Sequence, residues 1–62
     1  MGSKVYTIYK VKDSRSPDGY MYHADGPAIQ EALRAGKITP NDTWDISREN
    51  LVAKLRKKGA AV

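Results

Sequence analysis

The chain has no cysteine and no phenylalanine, and it has one histidine and one tryptophan among 62 residues. The first absence removes disulfides and every thiolate metal site. With a single histidine, a zinc site would need carboxylates for nearly all its ligands. The expected metal and cofactor content is therefore none. No apolar run approaches the roughly 18 residues of a membrane span, and no signal-peptide apolar region is present. A cytoplasmic protein without a membrane partner is the expectation. At 62 residues the chain reads as one domain (1–62) near the lower limit for folding without staples. Such a fold must rest on a thin apolar core, which self-association into a homodimer would supplement.

What is present is positive charge at one end. The formal net charge is +4. Residues 1–47 carry six Lys/Arg and six Asp/Glu, which balance. Residues 48–62 carry Arg48, Lys54, Arg56, Lys57 and Lys58 against Glu49 alone. A concentrated positive end suits an anionic partner, most often nucleic acid. A solvated helix face that keeps a small protein soluble has the same composition.

The pattern along the chain is α+β: an N-terminal β-hairpin, then two amphipathic helices with a short strand or turn between them. Val5 to Val11 is dense in β-branched and aromatic residues and reads as a strand. Ser16-Pro17-Asp18-Gly19 is turn chemistry: proline presets φ, aspartate caps through its side chain, and glycine takes the left-handed position. Tyr20 to His23 resumes strand character, giving a hairpin over about residues 4–24. Asp25-Gly26-Pro27 opens a helix over about 27–35, with Asp25 as a cap and Pro27 in the first turn. Ala28, Ile29, Ala32 and Leu33 form its apolar stripe, and Gly36 ends it. Thr43 to Ile46 reads as a short strand. Ser47 is an N-cap for a helix over about 47–58, with Glu49 in its first turn and Leu51, Val52 and Leu55 as its stripe. The five cations of this helix are expected on the side away from that stripe. Gly59 stops it, and residues 60–62 are expected to fray. The expected core is Val5 or Ile8, Ile29, Leu33, Ile38, Trp44, Ile46, Leu51, Val52 and Leu55, with Trp44 as its anchor.

Catalytic chemistry finds little support. His23 with Ser14, Ser16 and Asp25 supplies the residue types of a nucleophilic triad, but none sits in a nucleophile-elbow context. The five glycines stand singly at turns and helix ends, so no phosphate loop is present. The reading is no enzyme, with His23 a strand side chain facing solvent. The tyrosines are more informative. Tyr6, Tyr9, Tyr20 and Tyr22 all fall in the hairpin, among Lys4, Lys10, Lys12 and Arg15. Tyr6 and Tyr9 differ in parity and Tyr20 and Tyr22 agree, so at least one sheet face shows tyrosine to solvent or to a partner. Rings interleaved with cations can stack single-stranded bases, and they can equally be cross-strand pairs that stabilise a sheet.

Ile29-Gln30-Glu31-Ala32-Leu33-Arg34-Ala35-Gly36-Lys37-Ile38, Trp44-Asp45-Ile46-Ser47-Arg48-Glu49-Asn50-Leu51 and Leu55-Arg56-Lys57-Lys58 together resemble the excisionase/MerR-type winged helix over about residues 28–58. The resemblance implies a DNA-binding helix with Gln30, Arg34 and Lys37 as base or backbone contacts. In that family another helix precedes the recognition helix, whereas residues 4–24 here read as a hairpin.

Two functions follow. One is a small non-enzymatic nucleic-acid-binding protein, with DNA favoured over RNA, of the accessory kind that phages and mobile elements encode. Arg48, Lys54, Arg56, Lys57 and Lys58 would contact phosphates, and the first helix or the tyrosines would supply selectivity. The other is an adaptor or inhibitor that docks on a larger protein through its hairpin or a helix face.

Overall fold

A computed structural model describes residues 5–62. Met1 to Lys4, including the Lys4 that begins the expected hairpin, lie outside the described residues. The element order is β1 (Thr7–Lys12), β2 (Tyr20–Asp25), α1 (Pro27–Arg34), a one-turn 3₁₀ helix (Pro40–Thr43), β3 (Trp44–Asp45) and α2 (Arg48–Lys57). The strands form an antiparallel sheet in the order β1-β2-β3. This is the α+β arrangement expected: a hairpin, then two helices with a short strand between them.

Local chemistry accounts for the boundaries. In the hairpin turn, Asp18 Oδ1 accepts from the Ser16 hydroxyl at 2.7 Å and from the Tyr20 N–H at 3.0 Å. Gly19 takes φ +84°, which an L side chain resists. Asp25 accepts from the Gly26 N–H and from the Gln30 amide, but the N-cap residue of α1 is Gly26 itself. Glycine is required there for space as well as for φ. A Cβ on Gly26 would lie 2.8 Å from Tyr6 Cα and 2.9 Å from Val5 O, where the chain entering β1 crosses the helix start. Ser47 caps α2 by accepting from the Asn50 N–H at 3.3 Å. Both helices close in the same way. Gly36 and Gly59 adopt positive φ, and the amides of Lys37 and Ala60 reach back to the carbonyls of Ala32 and Leu55.

That second closure corrects one expectation. Residues 60–62 do not fray: Ala60 is buried and Val62 packs against the core. The reversal at Gly59 turns the chain back onto α1 and α2 instead of letting it run on into solvent.

The core is Ala24, Ile29, Ala32, Ile38, Leu51, Leu55 and Ala60, with Tyr6, Ile8, Tyr22, Leu33 and Val62 packed against it. Ile29, Ile38, Leu51 and Leu55 stand where the apolar periodicity puts them. Of Val5 and Ile8 it is Ile8 that packs against the core, Val5 being 48% exposed, and Ile46 departs from expectation at 51% exposed. Trp44 does not anchor the core either, because it stacks on His23 instead. Alanines at 24, 28, 32 and 60 fill the space that larger residues were expected to take. Among the described residues, no helix is long and apolar enough to cross a membrane.

Candidate docking face

Strand alternation divides the hairpin into two surfaces. Ile8, Tyr22 and Ala24 point to the helices, together with Tyr6 just before β1. Thr7, Tyr9, Val11, Met21 and His23 therefore point the other way. The register sets Tyr9 opposite His23, and His23 opposite Trp44. The His23 and Trp44 rings stack with centroids 4.1 Å apart and planes 23° from parallel. Tyr9 is 51% exposed. Three rings thus stand in one row across all three strands, on the face that no helix among the described residues covers. Beyond the end of the row, Arg15, Met21, Asn41 and Trp44 line a cleft between the hairpin turn and the 3₁₀ helix.

The other tyrosines have different duties. Tyr6 and Tyr22 support the core. Tyr20 lies on the inner side, near the hairpin tip, where the Lys10 ammonium sits 4.4 Å from its ring centre. Of the four tyrosines in the sequence reading, Tyr9 alone belongs to the open row.

Hydrogen bonds fix the tautomer of His23. Its Nδ1 lies 3.2 Å from the Thr43 carbonyl oxygen, which can only accept. It also lies 3.3 Å from Thr43 Oγ1, whose proton is already given to the Pro40 carbonyl at 2.7 Å. Both contacts require a proton on Nδ1. In the neutral ring the lone pair is then on Nε2. Among the described residues, that atom has no hydrogen-bond partner, and no partnerless side-chain nitrogen or oxygen is buried. Nε2 is therefore open to solvent in the middle of the row.

The basic helix differs from its sequence expectation. Lys54 Nζ donates to the Trp44 carbonyl at 3.0 Å and pairs with Asp45 at 3.4 Å, tying α2 to β3. Lys58 pairs with Asp42 at 3.1 Å, tying the end of α2 to the 3₁₀ helix. Asp42 is held below the usual carboxylate range by the Thr39 N–H and then by Lys58. Arg56 Nε donates to the Val62 carbonyl. Among the described residues Arg48 and Lys57 have no such partner, and at about 100° per residue they stand about 180° apart around α2. Arg48 also falls within the azimuth of the apolar stripe and stays exposed as the helix's first residue. The five cations surround the helix and do not share one flank. The α1 candidates are engaged too: Gln30 with Asp25, Arg34 with Glu31 at 3.1 Å, and Lys37 with the Gly59 carbonyl at 3.5 Å.

No family model, no curated protein and no solved structure matches the chain. The place that a winged-helix domain gives to a bracing helix before its recognition helix is taken here by β1 and β2. The gap between Gly36 and Trp44 holds the 3₁₀ helix.

Sequence reasoning missed His23 and Trp44 as members of one surface. A signal was available. Large side chains occupy both parities of β1 and β2, and two short helices can cover only one face of a sheet.

Proposed function

We propose that the protein is a small non-enzymatic docking module that binds an extended segment of a larger protein on the open face of its sheet. The observation that carries this is the cross-strand row Tyr9–His23–Trp44 on the uncovered face. Tyrosine, tryptophan and methionine give large contact area at low entropic cost and are enriched at interfaces. The strand residues of this face include no cation: Thr7, Tyr9, Val11, Met21, His23, Asp25 and Trp44. The nearby cations are neutralised locally, Arg15 by Asp13 and Lys54 by Asp45. A groove that tracks single-stranded nucleic acid needs a positive path along the backbone. This face offers apolar anchors instead. The net charge of +4 lies off the face, in part on Lys10 and Lys12 of β1, and it favours a segment with acidic residues flanking its apolar ones.

Nucleic acid, with DNA ahead of RNA, is the competing reading. It draws on the same rings as base-stacking surfaces and on Lys12, Arg48 and Lys57, which have no partner among the described residues. One experiment separates the two: selection of a random-peptide display library on the protein, with oligothymidylate titrated in parallel while Trp44 fluorescence is followed. Docking predicts peptides with a shared apolar anchor and acidic neighbours, and Trp44→Ala should weaken them by at least about 2 kcal/mol, roughly 30-fold. Oligonucleotide binding that weakens steeply with salt, with no peptide recovered, would overturn the docking reading in favour of nucleic acid.

A further inference from the structure

At the middle of the aromatic row stands one ring nitrogen with no partner among the described residues. His23 donates Nδ1–H to Thr43, so its neutral ring carries an exposed acceptor at Nε2, between Tyr9 and Trp44. A docked apolar segment that left this acceptor unpaired would lose hydration there without replacement, at a cost comparable to a lost hydrogen bond. Resting on the docking reading, we propose that His23 is the specificity determinant of the face: Nε2 accepts a hydrogen bond from a neutral donor of the bound segment, a backbone N–H or a hydroxyl. A cationic donor fits less well, because the chain is already net positive.

The fold supplies what this requires. Stacking on Trp44 fixes the ring plane, and the bifurcated bond to Thr43 fixes its rotation and tautomer. Thr43 is buried and held by its own bond to Pro40, so the acceptor is set before any partner arrives.

Two measurements test this. A two-bond proton–nitrogen correlation spectrum of the free protein should show His23 protonated at Nδ1 and bare at Nε2; the opposite tautomer overturns the inference without any ligand. The second uses the tightest peptide from the display selection. His23→Phe keeps a ring on Trp44 and His23→Asn keeps a donor for Thr43, but neither puts an acceptor where Nε2 stands. Each should weaken the peptide about tenfold relative to the natural chain. If either variant binds within about twofold of the natural chain, His23 is not the determinant. That failure leaves docking standing so long as Trp44→Ala still loses the peptide. If Trp44→Ala binds as well as the natural chain, the docking reading falls with it.

Discussion

In β1 and β2 the even-numbered residues face the helices and the odd-numbered ones face away, so one hairpin serves two surfaces with opposite demands. At the centre of the covered face the strand and helix side chains are small. Ala24 meets helices that contribute Ala28 and Ala32; Ile29, Ile38, Leu51 and Leu55 add bulk, and Tyr6, Ile8, Tyr22, Leu33 and Val62 pack around them. The open face carries Tyr9, Met21, His23 and Trp44. The molecule measures 33 × 27 × 16 Å, a slab one sheet and one helix layer thick. Trp44, the largest side chain of the molecule, therefore stands on the open face and not in the core.

Substitutions on the two faces should separate stability from binding. Leu51→Ala, on the covered side, should cost about 2–5 kcal/mol in denaturant unfolding, enough to unfold much of a domain this small. Gly26→Ala tests the crossing beneath that face. It forces a side chain into φ +125° and against Tyr6 and Val5, and should cost about 1–3 kcal/mol from the backbone alone. Trp44→Ala should cost about 1 kcal/mol of stability, the worth of its stack on His23, while removing peptide binding. Were Trp44→Ala as damaging to the fold as Leu51→Ala, the division between the faces would be wrong.

The smallest expected effect is acid lability. Asp13 is lowered to about 2, chiefly by the Arg15 guanidinium bonded to it, and Asp18, Asp25 and Asp42 are also lowered. Asp18 owes this first to the Ser16 hydroxyl, and Asp25 to the Gly26 N–H. Each takes up protons more readily when unfolded, so its contribution is present above the ordinary aspartate value of 3.8 and is lost as pH falls through the depressed one. Thermal melts should drop over that interval, and the Asp13 share of the drop should vanish in Arg15→Ala.

Much of the fold was legible because it is local. The Ser16–Gly19 turn, the Ser47 cap, and the glycines at 36 and 59 each act within a few residues, and the stripes of Ile29 and of Leu51 and Leu55 follow helical period. What escaped is what depends on distant pairing. Trp44 and Ile46 look like core residues in an apolar alternation, but β3 is only two residues long, and its register against β2 turns Trp44 onto the open face. The partners of Lys54 and Lys58 lie 9 and 16 residues back, at Asp45 and Asp42, so a helical wheel of α2 counts as free two cations that the fold has spent.

β1 leaves one further mark. Among the described residues it is the sheet's long edge, six residues with β2 on one side only, and its other rim of amides and carbonyls is a template on which another copy could assemble. Lys10 and Lys12 sit on that strand, and two copies brought rim to rim would crowd like charges together. The pair thus guards against ribbon formation, and a chain with valine at both positions would be expected to lose its solubility before it lost its fold.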